Sequence, residues 1–247
     1  MANDVKAVTV GDVKAVIIKS GERKEADCTD DFAVLFFLRK LLNPSHRTVQ
    51  QKGLNAVVDW IQSENTNCMA AVVNGVAAEF GQFTSARQRI FIETMTQSPH
   101  VSADHLRGFV DRLKIEMCDP DIRQFAVKTF TESRKLNAKG LQGLGGQIVR
   151  LAMQNFGVNA EAYTPLAKCV MNAPNSDESV FGIMGLGVLA AVQDFGITYR
   201  DSLEPLLNPL IASDKMPTTI KGELEKFVAS KSPCRGNPDF RALFPAL

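Results

Sequence analysis

Aromatic residues are scarce in this 247-residue chain, which holds one Trp, two Tyr and 15 Phe. A protein that stacks every base of a nucleic acid on a ring lacks the rings here, because most Phe fall on apolar helical faces and Trp60 reads as core. Histidine is sparser, with three in all. His46, His100 and His105 occupy loop or helix-start positions, and the step from His100 to His105 misses the three- or four-residue spacing that puts two ligands on one helical face. The five cysteines, Cys28, Cys68, Cys118, Cys169 and Cys234, are far apart, odd in number and without a C-x-x-C pair. That argues against a disulfide framework or zinc site and for a reducing compartment. No Walker loop and no G-x-S-x-G elbow occurs. No window approaches the roughly 18 apolar residues of a membrane span, and the N-terminus lacks the apolar core of a signal peptide. The expectation is a cytoplasmic protein that is no enzyme, with no cofactor, no metal, no membrane and no small-molecule substrate.

What the chain has is an ordinary globular composition, 45% hydrophobic and 22% charged, and enough length for one large domain or two lobes. The net charge of +1 hides a pattern. Residues 85–150 hold 11 Lys and Arg against 7 Asp and Glu, whereas residues 151–214 hold 2 against 7. A polyanion responds to a local basic surface and not to the whole-chain sum. A basic middle beside an acidic segment also suits head-to-tail self-association, and scattered solvated charges are the plain alternative.

Taken in order, Val5 to Lys19 shows two β-branched runs around Gly11-Asp12, the pattern of a short hairpin. From Thr29 the period turns helical. The run FAVLFFLRKLL ends at Asn43-Pro44, and VQQKGLNAVVDWIQ puts Leu54, Val57, Val58 and Ile61 on one face. Further helices are expected in NCMAAVVNGVAAEF, in SARQRIFIETMTQ, behind a Ser102 cap, and behind Pro120 at a first helical turn. After them come KGLQGLGGQIVRLAMQNFG, AEAYTPLAKCVM, DESVFGIMGLGVLAAVQDF, RDSLEPLLNPLIAS and TTIKGELEKFVAS. No fixed period near 34 or 40 residues is apparent, so the expected fold is all-α: an irregular multi-helix body of two lobes, with a short N-terminal β-hairpin and extended terminal arms. The expected division is an arm over residues 1–29, lobes over 30–139 and 140–231, and an arm over 232–247.

Gly140, Gly143, Gly145 and Gly146 lie within seven residues. They lack the Gly-Lys-Ser/Thr ending and preceding strand of a phosphate loop. Close helix approach or a kink is one reading. A flexible hinge offering free N–H groups to an anion is another, flanked by Arg134, Lys135, Lys139 and Arg150. The candidate nucleic-acid contacts are Arg87, Arg89, Arg107, Arg112, Lys114, Arg134, Lys135, Lys139 and Arg150. If their helices pack side by side, the polar faces make a strip that tracks a phosphate backbone with salt-dependent, sequence-tolerant affinity.

An all-α body of this size, near neutral overall, with a central basic region and apolar material at both ends, resembles the nucleocapsid and coat proteins of RNA viruses with helical or filamentous particles. The resemblance is architectural and carries no individual residue. It implies an RNA-binding virion protein whose two lobes clamp single-stranded RNA, with homo-oligomers joined through the terminal arms. A tail such as PDFRALFPAL, where burial of Phe240, Leu243, Phe244 and Leu247 contributes about 1.5 to 3 kcal/mol each, suits such docking. The alternative is a helical protein-interaction adaptor with an armadillo-like irregular stack and no nucleic-acid role. The helix, Pro-containing turn and helix of LRKLLNPSHRTVQQKGLNAVVDWI support it.

Overall fold

The computed structural model describes residues 57–58, 61–62, 69–154, 160–195 and 200–229. Among the described residues the structure is helical throughout, with no strand. The helices are α1 (Met69–Glu79), α2 (Ser85–Gln97), α3 (Ala103–Arg112), α4 (Pro120–Glu132), α5 (Ala138–Met153), α6 (Ala160–Met171), α7 (Glu178–Phe195), α8 (Arg200–Ala212) and α9 (Thr218–Ala229), with 3-10 turns at Phe80–Gln82 and Ile115–Met117. The expected hairpin of residues 5–19, both expected arms and the first expected helix lie outside the described residues. Two compact units divide between Ile122 and Arg123, inside α4.

In the first unit α1 packs on α3. Its core is aromatic. Phe80 meets Phe83 and Phe109 edge-on at 6.2 and 5.8 Å, and Phe83 stacks on Phe91 at 5.1 Å. Such pairs add about 0.5–1.5 kcal/mol beyond the area they bury. Ser102 caps α3 as its sequence promises. Its Oγ accepts from the His105 N–H, and His105 Nδ1 accepts from the Ser102 N–H in return.

The second unit corrects the expectation of an irregular body without a period. Helices α4, α6 and α8 begin at residues 120, 160 and 200, and α5, α7 and α9 begin at 138, 178 and 218. Both series advance by 40 residues. Three helical hairpins, α4–α5, α6–α7 and α8–α9, therefore repeat one plan. Pro165 and Pro205 hold the same position within α6 and α8, where each ring replaces one in-helix donor. α5 packs against α6 and α7, α6 against α8, α7 against α9, and α8 against α9. Arg123 ties α4 to α6: its Nη1 donates to Tyr163 Oη at 2.6 Å, with the guanidinium 5.3 Å from the ring centre.

The turns show the same plan at atomic detail. In the turn 133–137 the Leu136 N–H donates to Ser133 O, and the first amides of α5 turn back to Asn137. In 173–177 the Ser176 N–H donates to Ala173 O, and Asp177 receives the first amides of α7. In 213–217 the Met216 N–H donates to Ser213 O. The turn 98–102 of the first unit repeats this bond from Val101 to Ser98. The third residue of the later two turns in the second unit also reaches backward. Asn175 Nδ2 donates to Leu136 O at 2.9 Å and to Arg134 O at 3.1 Å, and Lys215 Nζ donates to Ser176 O at 2.8 Å. Leu136 and Ser176 are equivalent positions, so these bonds form a ladder along the turn edge.

The glycine cluster lies inside α5, so the expectation of a hinge with free amides is also corrected: a continuous helix uses these amides in its own bonds. Close approach is what the glycines serve. A Cβ on Gly145 would stand 2.9 Å from Met184 Cγ, and one on the equivalent Gly185 would stand 2.7 Å from Ile220 Cγ2. The third repeat differs. Glu225 occupies this position in α9 and is exposed, and Val228 is 38% exposed where Ile148 and Val188 are fully buried. A terminal repeat with a polar outer face is how helical arrays end.

Candidate nucleic-acid interface

The nine candidate cations divide between the units. In the first, Arg87 and Arg89 are half-buried on α2, and Arg107 and Arg112 lie on α3. Arg107 pairs with Asp104 at 3.6 Å one helical turn away. Arg112 Nη1 donates to Asn74 Oδ1 of α1. Both arginines flank Asp111, whose carboxyl is raised by desolvation against their pull. Lys114 is exposed just beyond α3. These groups carry structural bonds, and a phosphate has to compete with Asp104 and Asn74 for two of them.

The second unit presents its cations differently. Arg134 is exposed in the turn before α5, while Lys135 beside it is half-buried and burial lowers its pKa. Lys139 and Arg150 are carried on α5, where Arg150 is exposed and Lys139 opens the first turn. Their spacing puts them at nearly the same angle around the helix, about 16 Å apart at 1.5 Å per residue. Gly143 and Gly146 lie between them on that face, with Gln142 and Gln147 at its sides, all half-buried. The face is therefore low and smooth between two positive ends. No side chain in it projects far enough to keep a polymer backbone away.

α7 adjoins this face. Gln142 Nε2 donates to Ser179 Oγ at 2.6 Å, and a Cβ on Gly146 would lie 3.8 Å from Ile183 Cγ2. Ser179 Oγ donates in turn to Asp177 Oδ1 at 2.5 Å. That bond, ahead of the backbone N–H groups of Val180 and Ser179, holds the Asp177 carboxyl below the usual range. The carboxylate is thus engaged at the N-terminus of α7, where its charge also suits the helix dipole.

Sequence reasoning singled out the α5 cations but missed their neighbours on α7, because the run DESVFGIMGLGVLAAVQDF reads as buried nearly all round. The 40-residue step is the signal that finds them: Ile183, Leu186 and Ala190 stand 40 residues after Gly143, Gly146 and Arg150. Among the described residues no group of three His, Cys, Asp or Glu stands close enough to hold a metal ion, and no helix is long and apolar enough to cross a membrane. No protein family, curated protein or solved structure matches the chain.

Proposed function

We propose that the chain is a single-stranded RNA-binding protein that self-assembles on its ligand in the manner of a viral nucleocapsid or coat protein, acting in the cytoplasm or virion as a stoichiometric binder and not as a catalyst. The observation that supports it is the face of α5, where Lys139 and Arg150 stand in line across a glycine floor, with exposed Arg134 in the preceding turn. Phosphates of an extended backbone fit such a row because the attraction is sequence-independent and needs no deep pocket. Residues 85–150 hold the basic surplus, and the acidic surplus of residues 151–214 offers a second copy a complementary surface. Residues 1–29 and 232–247 join copies under this reading.

The test is the 260/280 nm absorbance ratio of the purified protein across a size-exclusion profile, with and without ribonuclease, followed by RNA titrations at several salt concentrations. With one Trp and two Tyr the protein absorbs little at 280 nm, so bound RNA dominates the signal. A large, high-ratio species that collapses with ribonuclease is expected. Lys139→Glu with Arg150→Glu should weaken binding and flatten the slope of log affinity against log salt by about 0.7 per cation removed. A low-ratio, ribonuclease-insensitive monomer would move the reading to the helical-repeat adaptor. The 40-residue period favours that second reading, since stacked hairpins commonly present extended binding surfaces.

A further inference from the structure

The outward face of α7 differs from that of α5 in one respect. At the positions equivalent to Lys139, Gly143, Gly146 and Arg150, α7 carries Ser179, Ile183, Leu186 and Ala190. Ser179 is exposed and the other three are half-buried. An aliphatic strip therefore lies directly beside the cationic row, joined to it by the Gln142–Ser179 hydrogen bond at one point and the Gly146–Ile183 approach at another. On the far side of α7, α9 carries Lys226 bonded to Glu223 at 2.6 Å, so that border is charged and self-neutralised. The surface thus reads, from α5 to α9, as positive, apolar and neutralised polar.

Single-stranded nucleic acid has the matching cross-section. Its phosphates are anionic, and its unpaired bases expose apolar ring faces that a duplex keeps stacked inside. We propose that Ile183, Leu186 and Ala190 of α7 form a base-contacting strip for single-stranded RNA whose phosphates lie along Lys139 and Arg150 of α5; the proposal rests on the RNA-binding reading above. Aliphatic side chains offer ring faces a dry surface without hydrogen-bond readout, so contact is tolerant of base identity. A duplex reaches the cations but not the strip. Single-strand preference is then a property of α7, and phosphate affinity a property of α5.

The experiment compares an oligouridylate, a duplex RNA and inorganic polyphosphate as ligands of the full chain, with Leu186→Ser and Leu186→Phe as variants. Wild type should prefer the oligouridylate to the other two. Leu186→Ser should lose roughly fivefold on the oligouridylate and nothing on polyphosphate, with the salt slope unchanged because the phosphate contacts remain. Leu186→Phe, which supplies a ring for stacking, should bind the oligouridylate at least as well as wild type. Should Leu186→Ser fail to fold, Leu186→Trp decides instead, since its indole fluorescence must be quenched by the oligouridylate and not by polyphosphate. A folded Leu186→Ser that binds the oligouridylate like wild type, or an indole that ignores it, overturns the base strip and leaves the cationic row standing. A wild-type protein that binds neither RNA nor polyphosphate removes the RNA reading and this proposal with it, leaving the strip to a protein partner.

Discussion

His105 supplies half of a capping box: it stands at the third position of α3 and accepts a backbone N–H through Nδ1 while its own backbone N–H goes to Ser102 Oγ. Only the neutral ring accepts in this way. Burial lowers its pKa, with the Asp104 carboxylate pulling weakly the other way. A proton would also place positive charge at a helix N-terminus, where the dipole opposes it. A basic group whose folded pKa lies below its unfolded value binds more protons when unfolded. Its contribution is therefore complete above about pH 6.5 and lost as pH falls through the folded value. His105→Gln, which keeps the acceptor without the titration, should remove part of the stability lost between pH 7.5 and pH 5. Thermal unfolding of both proteins at the two values measures the difference, and equal losses would assign the acid sensitivity to other groups.

Among the elements, glycine positions separate packing from propensity. A methyl group on Gly185 would meet Ile220 Cγ2 at 2.7 Å, and a β-branched side chain in a helix has little rotamer freedom with which to withdraw. Gly185→Ala should thus force α7 from α9 and cost about 1–3 kcal/mol as overpacking, outweighing the gain of up to about 1 kcal/mol in helix propensity. Gly222→Ala in α9 meets nothing within 4 Å and should stabilise by about 0.5–1 kcal/mol. Urea unfolding of the pair distinguishes the cases by sign. The helices themselves were readable beforehand: SARQRIFIETMTQ and AEAYTPLAKCVM coincide with α2 and α6, since apolar spacing, caps and prolines state boundaries locally. The role of the glycines in α5 was not, because close approach depends on Met184, a residue of another helix. A cluster that looks like a loop in isolation becomes a helix once Asn137 caps it and α7 lies against it.

On the scale of the molecule, the repeat escaped sequence reading for a physical reason. The turns SPHVS, SRKLN, APNSD and SDKMP share a role at each place more than a residue: a buried fourth position, a backbone-bonded first, and a helix start after the fifth. Their first residues, Ser98, Ser133, Ala173 and Ser213, step by 35 and then twice by 40, so a search for one fixed period over the whole chain finds none. The echo of QNFGVN at residues 154–159 in QDFGIT at 193–198 was the one local trace. For the candidate interface, the α5 cations were legible as charges, whereas the α7 strip needed the period to bring it into phase. The turn ladder belongs to this scale as well. Asn175→Ala removes a donor from two carbonyls of the preceding turn and should cost about 1–2 kcal/mol; Lys215→Met removes one and should cost less, about 0.5–1 kcal/mol. Each should shift one cooperative urea transition of the second unit, and a second transition appearing on its own would show that the hairpins unfold separately.

The ladder also has a direction. Asn175 reaches back to the turn at Leu136, and Lys215 to the turn at Ser176. During synthesis each of these turns leaves the ribosome before the side chain that fastens it exists, and waits about 40 residues, some seconds at cellular elongation rates, for its successor to arrive. Each hairpin is thus closed by the next one made, and α9, whose outward Glu225 takes the place of the packing glycines, is where that sequence of closures stops.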